Sequence, residues 1–367
     1  ANPTGPMHMG NARGGALGDC LAAVLDKAGY NVWREFYVND AGNQIEKFGC
    51  SLEARYLQIF KGDEIEFPED GYQGEDIKDL AKEYADLNGD SLVNVSSEER
   101  KKALVDYALP KNIKKMQADM EKYKIFYDKW FFESELHKSG AVQAVVDLLT
   151  EKGLTYEKDG AVWYKNKEVL TQKLLKEGKS QKYIDNLELK DDVLIRQNGN
   201  PTYFTADIAY HKNKFDRGFT TLIDVWGADH HGHVMRMKGA MDAIGYDGDK
   251  LNVVLMQLVK LVKDGELVRM SKRTGKAIQL GDLLDEVPVD SARFLFNTKE
   301  ANTQMDFDLD LAVSQDNQNP VYYVQYAHAR ICSIFKSLAK EGISPRECTD
   351  AELALLTAPE EKELINH

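Results

Sequence analysis

Cysteine is scarce in this chain of 367 residues: the four present, Cys20, Cys50, Cys332 and Cys348, lie far apart and form no CxxC pair. That spacing argues against a zinc knuckle or a disulfide framework and fits a reducing cytoplasm. No apolar run approaches the ~18 residues that cross a bilayer, so no membrane association is expected. A charged-then-apolar leader is missing too. Positive charge is in deficit, with 47 Lys and Arg against 60 Asp and Glu, a formal net charge of -13. Indiscriminate nucleic-acid binding needs a basic surface, so a polynucleotide has to be held by a local basic patch. No internal repeat is visible. The chain opens on Ala1 without an initiator Met, and its first residues already read as a working motif; residues preceding them are therefore expected.

What remains is an ordinary globular composition, 43% hydrophobic and 29% charged, long enough for two or three domains. Asn2-Pro3-Thr4-Gly5-Pro6 is loop chemistry. Leu17, Leu21, Val24 and Ala28 then recur at helical spacing, and Gly29 ends that helix as a left-handed cap. Tyr30 to Val38 reads as a strand. Residues 51–190 are charged and mainly helical. Ser96 and Glu99 have capping-box spacing there, and Asp159-Gly160 marks a hairpin within 154–165. The sheet is expected to resume near residue 193, with strands at Val193–Ile195, Thr221–Trp226 and Asn252–Met256. Between the last two runs a helix that carries Met237, Ala240 and Ile244. Two short strands flank Asp264-Gly265, and a long helix starts at Pro320 with Val324, Ala327, Ile331 and Ile334 on one face. The alternation predicts an α/β fold: a doubly wound parallel sheet of Rossmann type, split by a mainly helical insertion and followed by the start of a helical bundle.

Three short motifs carry chemistry. His8-Met9-Gly10-Asn11 sits where a loop enters the first helix. Helix N-terminal amides favour a phosphate, Gly10 leaves room against the backbone, and His8 and Asn11 can both aim donors at phosphoryl oxygens. An isolated H-x-G-x string is more often a satisfied loop histidine; the Pro/Gly loop before it and the α/β pattern around it change that balance. Trp226-Gly227-Ala228-Asp229-His230-His231-Gly232 follows a strand end, where open α/β sheets bind ligands. Gly227 permits close approach and Asp229 can accept from ribose hydroxyls. A metal site built from Asp229, His230, His231 and His233 competes with this reading, but residues packed so closely cannot all point one way, and no HExxH set accompanies them; no protein metal site is expected. Arg269-Met270-Ser271-Lys272-Arg273-Thr274-Gly275-Lys276 is a basic, glycine-bearing loop suited to closing over a triphosphate, with Lys272 against the phosphoryl charge.

Together these stretches resemble the arginyl branch of the class I aminoacyl-tRNA synthetases. Ala1 to Gly14 looks like its HIGH signature, Tyr37-Val38-Asn39-Asp40-Ala41-Gly42-Asn43-Gln44-Ile45 is similar to a further segment of that family, and Arg269 to Lys276 resembles KMSKS. The second signature histidine is Asn11 here, so stabilisation by hydrogen bonding is implied in place of an imidazolium. The resemblance implies catalytic roles for His8, Asn11 and Lys272. It implies ATP contacts at His8, Gly10, Asn11, Gly227, Asp229, His230, Met270, Ser271 and Lys272. Asn200-Pro201-Thr202-Tyr203-Phe204-Thr205-Ala206-Asp207 is similar to the segment that holds the substrate side chain. On that match Asp207 is the guanidinium partner and Tyr203 lies beside it, with Asn2 on the α-amino group and Gln257 as a further contact.

Asn319 to Arg330 looks like the start of the family's helical anticodon-binding domain. Tyr326 and Arg330 are the candidate tRNA contacts, and Val324, Ile331 and Ile334 are expected in a bundle core. The resulting division is 1–50, first half of the catalytic domain; 51–190, insertion; 191–260, second half; 261–318, the KMSKS-like loop and connecting helices; and 319–367, the beginning of the anticodon-binding domain. The implied activity is ATP-dependent activation of L-arginine and transfer to tRNA(Arg), with Mg2+ entering on the nucleotide, in a cytoplasmic monomer. The rival readings are a small-molecule nucleotidyltransferase of the HIGH type and an inactive tRNA-binding fragment.

Overall fold

His8 starts the first helix by capping it. In the computed structural model, which describes residues 1–268 and 278–366, helix α1 runs Met9–Lys27. His8 Nδ1 accepts the Gly10 N–H at 3.1 Å, and Asn11 Oδ1 accepts the His8 N–H at 3.1 Å. Gly29, at φ 92°, ends the helix as the sequence predicts. The strand expected over Tyr30–Val38 is shorter: β1 is Glu35–Val38. Tyr30 and Trp33 are exposed, and the Arg34 N–H is taken by the Asp128 carboxylate at 2.6 Å.

Three helices follow, α2 (Asn43–Lys61), α3 (Glu75–Asn88) and α4 (Ser97–Lys122). They pack on Phe48, Leu52, Tyr56, Ile77, Leu104 and Ala108. Ser96 caps α4 by accepting the Glu99 N–H at 3.2 Å. Then β2, Lys129–Phe132, pairs in parallel with β1 from Glu35↔Lys129 to Val38↔Phe132. The stretch 51–190 thus contributes a strand to the parallel fold as well as helices.

Next come α5 (Glu133–Lys138), α6 (Ala141–Glu151), and a hairpin of β3 (Thr155–Lys158) and β4 (Ala161–Tyr164). Its turn has positive φ at Asp159 and Gly160, the two-residue geometry that matches strand twist. After α7 (Asn166–Lys176) and α8 (Gln181–Asp185), β5 runs Asp192–Ile195. Here the structure corrects the expectation that the parallel sheet resumes near 193. β5 is antiparallel to β4, with Tyr164↔Asp192 and Trp163↔Val193 in register. The open edge of the hairpin supplies its backbone partners, and Leu194 buries beside Tyr164 in one core cluster.

The parallel fold continues through α9 (Tyr203–Asp216), β6 (Leu222–Gly227), α10 (His231–Ile244) and β7 (Leu251–Met256). β6 and β7 are parallel in register from Leu222↔Leu251 to Gly227↔Met256, and Met237, Ala240 and Ile244 of α10 are buried as predicted. β8 (Val259–Lys263) and β9 (Glu266–Val268) form a second hairpin, turning at Asp264 and Gly265, both at positive φ. Helices α11 (Leu280–Glu286) and α12 (Val289–Phe296) lead to β10 (Met305–Asp308), parallel to β8. Among the described residues no helix is long and apolar enough to cross a membrane.

The chain divides into two compact units, Ala1–Leu309 and Asp310–His367. α13 (Leu309–Val313) marks the junction, and α14 (Pro320–Lys340), α15 (Asp350–Leu353) and α16 (Pro359–Asn366) belong to the second unit. Asn319 caps α14 by accepting the Val321 N–H at 3.1 Å, with Pro320 in the first turn. The apolar face of α14 is amphipathic as read, but Val324, Ile331 and Ile334 are 50%, 52% and 60% exposed and are not core residues. Burying such a stripe takes a second apolar face laid along it, and the described residues lay none there.

β6 is locked to α9 by a buried ionic group. Asp224 accepts from Lys214 Nζ at 2.7 Å and from His211 Nε2. Burial pushes the Asp224 carboxyl up, but Lys214 and His211 outweigh it and hold the group well below the usual carboxylate range. A depressed carboxyl contributes stability that is complete above the ordinary Asp value of about 4 and is lost as pH falls towards the folded value. Asp224→Asn, which leaves Lys214 buried without its anion, should lower the unfolding free energy at pH 7 by about 3–5 kcal/mol. Urea titrations should show that gap closing only below about pH 4.

Candidate active site

The N-terminus of α1, the C-terminal ends of β1, β6 and β7, and the first turns of α9 surround one cleft of about 2650 Å³. Asn2, His8, Gly10, Asn11, Tyr203, Asp207, Gly227, Asp229, His230 and Gln257 all line it. Residues distributed over 256 positions of sequence are thereby brought to one cavity. Met270, Ser271 and Lys272 lie outside the described residues. The chain beyond them is tied to the signature: Gln279 forms an antiparallel bridge with His8, and the Leu280 N–H donates to the Met7 carbonyl at 2.8 Å. Tyr326 and Arg330 belong to the second unit, where the Arg330 guanidinium lies 5.7 Å over the Tyr326 ring.

One end of the cleft is built from donors. His8 accepts through Nδ1, so its proton sits on Nε2, and burial lowers its pKa, which favours the neutral ring. Asn11 accepts through Oδ1, which leaves its amide NH₂ as a donor. Both side chains therefore serve the helix cap with an acceptor and keep a donor in reserve. A Cβ on Gly10 would sit 3.0 Å from His8 Cε1, and one on Gly227 would sit 2.5 Å from Asp229 Oδ1; the backbone at both positions stays accessible because those residues are glycine. Asp229 and His230 are exposed and 3.8 Å apart. His233 bonds Asp207 at 2.9 Å, with its ring edge-on to that of His230 at 6.5 Å. Among the described residues no group of three or more His, Cys, Asp or Glu is placed to hold a metal ion.

The other end is acidic and aromatic. Tyr203 and Asp207 stand one turn apart on α9. Across from them is Glu133, which the motifs did not point to. It is 3% exposed, on the first turn of α5 directly after β2. Its Oε2 accepts the Tyr37 hydroxyl at 3.0 Å and its Oε1 lies 3.3 Å from His137 Nε2. Burial pushes the Glu133 carboxyl up, while His137 and Tyr37 pull it down and Asp207 adds to the rise. Burial, then Glu133 and Asp207, raise Tyr37 far above the usual phenol range, so it is a neutral donor. The only local sign of Glu133 is an acid following the aromatic strand Trp130-Phe131-Phe132.

Arg13 was also missed. It is fully buried on α1, on the face of Met9, Ala12 and Ala16. Nη1 donates to the carbonyls of Gln257 at 2.9 Å and Thr303 at 3.0 Å, and Nη2 donates to that of Glu300 at 2.9 Å. The Gln257 N–H donates in turn to the Ala301 carbonyl at 2.8 Å. One side chain thus joins the signature helix, the end of β7 and the segment leading to β10. An arginine on the apolar stripe of a helix was the available signal.

Comparisons with known proteins identify the family of the chain. The family model described as tRNA synthetases class I (R), catalytic domain, matches residues 1–331. The chain is 59% identical over 367 residues to an arginine–tRNA ligase of Ruminiclostridium cellulolyticum and 57% identical over 367 residues to one of Acetivibrio thermocellus. In each case 100% of this chain covers 62% of the relative. A solved structure from Campylobacter jejuni, described as an arginyl-tRNA synthetase, superposes with a TM-score of 0.78 at 38% identity over 92% of this chain and 70% of that one. The Thermus thermophilus arginyl-tRNA synthetase has the same fold, with a TM-score of 0.67 at 21% identity over 97% of this chain and 66% of its own.

The fold is that of a class I aminoacyl-tRNA synthetase core, an α/β architecture of Rossmann type. Within that class, the chain belongs to the arginyl family. It spans about 62% of the length of the curated relatives it matches.

Removing the Arg13 guanidinium takes a charged donor from three part-buried carbonyl bonds. Arg13→Met should lower stability by about 3 kcal/mol, measured as a denaturant midpoint. Hydrogen exchange at the Gln257 amide should accelerate more than exchange within α4.

Proposed function

We propose that this chain activates L-arginine with ATP and transfers the arginyl group to the 3′ end of tRNA(Arg). The observation that carries the reading is the single cleft with hydrogen-bond donors at one end and two carboxylates at the other. A triphosphate suits the first end: its oxygens meet the α1 N-terminus and the donors of His8 and Asn11. Gly227 leaves room for the adenosine, Asp229 accepts from its ribose, and His230 lies beside it. A guanidinium suits the second end, where Asp207 takes its forked donors, Tyr203 flanks it, and Glu133 supplies a second negative face. Asn2 and Gln257 hold the remainder of the amino acid.

In this reading the arginine carboxylate attacks the α-phosphorus, the bond to the bridging oxygen breaks, and pyrophosphate leaves with that electron pair. Lys272, with Met270 and Ser271 beside it in the basic loop, neutralises charge that develops on the phosphates. A hydroxyl of the terminal tRNA adenosine then attacks the arginyl carbonyl and AMP leaves. Mg2+ enters on phosphate oxygens. Tyr326 and Arg330 are the proposed contacts of α14 with tRNA, a local site on a chain of net charge -13. We place the protein in the cytoplasm as a monomer; its four cysteines are free thiols, as a reducing compartment allows.

Arginine-dependent ATP–pyrophosphate exchange, run with and without tRNA(Arg), tests this. Exchange that requires arginine is the expected result; exchange supported by another acid without RNA would replace the reading with a small-molecule nucleotidyltransferase. Lys272→Ala should slow exchange by about two to three orders of magnitude, the usual effect of losing one charge-stabilising donor.

A further inference from the structure

We propose that His233 is a positioning residue for Asp207, held in one tautomer by Arg236, so that the candidate guanidinium site depends on the helix that follows the adenosine turn. This rests on the reading of Asp207 as the guanidinium partner. His233 Nδ1 lies 2.9 Å from Arg236 Nη2, and His233 Nε2 lies 2.9 Å from Asp207 Oδ2. A guanidinium nitrogen only donates, so Nδ1 must carry the lone pair. The ring proton is therefore on Nε2 and points at the Asp207 carboxylate. The direction of the chain is fixed: Arg236 donates to His233, and His233 donates to Asp207.

The rest of the surroundings restrain the same ring. Arg236 is paired with Asp192 of β5 and stands 5.4 Å over the Phe204 ring. The His233 imidazole packs against Trp226, 5.3 Å away at 40°, and Phe204, 5.6 Å away at 73°. Three elements, α9, α10 and β5, thus converge on one carboxylate.

The chemical consequence concerns charge as well as geometry. A carboxylate has about four acceptor directions. One on Oδ2 is taken by His233, which fixes the carboxylate plane and leaves an edge for a forked cation. Because Arg236 occupies Nδ1, the ring orients Asp207 as a neutral donor and puts no imidazolium beside the incoming guanidinium. Asp207 is oriented without being neutralised.

Long-range ¹H–¹⁵N correlation of the histidine rings in the full chain tests the tautomer directly, with the His233 signals identified by their loss in His233→Gln. The expected pattern is a protonated Nε2 and an unprotonated Nδ1, replaced by tautomeric averaging in Arg236→Met. A protonated Nδ1 in the unmodified chain would overturn the proposal. Exchange kinetics supply the second arm. His233→Ala should raise the arginine KM about tenfold to hundredfold, with kcat and the ATP KM within about threefold. His233→Gln, which keeps a donor near the Nε2 position, should recover most of that loss. An unchanged arginine KM in His233→Ala would sink the positioning role. Absence of arginine-dependent exchange in the unmodified chain would instead sink the reading of the site, while the ring signals still report the hydrogen bond to Asp207.

Discussion

The buried Arg13 guanidinium holds the parts of the cleft in register. Among the described residues it has no carboxylate partner; three backbone carbonyls from two distant segments take its donors. Backbone carbonyls move only with their chain, so a cation fixed among them ties chain segments together. It holds α1 to the end of β7 and to the approach to β10. β10 pairs with β8, and the β8–β9 hairpin leads towards the basic loop. On the far side of the same helix terminus, His8 bridges to Gln279. The signature helix is thus anchored both before and after that loop in sequence.

With that anchor in place the cleft divides by polarity. Its α1 end offers N–H groups, as an anion-binding site requires. Its α9 end concentrates Asp207 and Glu133 among tyrosine hydroxyls. The two ends share few side chains, but they are mechanically continuous. β6 carries Gly227 at its tip and Asp224 in its middle, and Asp224 is bonded to His211 and Lys214 on the helix that also carries Asp207. A shift of β6 therefore reaches both ends.

Much of this was legible in the residues themselves. The positive-φ turns at Asp159-Gly160 and Asp264-Gly265, the Gly29 terminus, the Ser96 cap and the buried face of α10 all follow from steric limits and periodicities that act within a few residues. Much of the described cleft was legible too, because His8, Gly10, Asn11, Tyr203, Asp207, Gly227, Asp229 and His230 stand where a loop or strand opens a helix. Other features were not. β5 reads as a core strand by composition, and only its neighbour decides that it closes an antiparallel hairpin. The stripe of Val324, Ile331 and Ile334 is apolar at helical spacing, yet spacing says nothing about what covers it.

The sequence by itself determined the local pieces: which segments coil, where they turn, and which short loops can present donors to a phosphate. Only the tertiary structure decided that Glu133 meets Tyr37 across 96 residues of chain, that Arg13 meets Glu300 across 287, and that His233 bonds Asp207. Hydrogen-bonding capacity belongs to a side chain, whereas the partner that uses it is chosen by the packing of elements far apart in sequence.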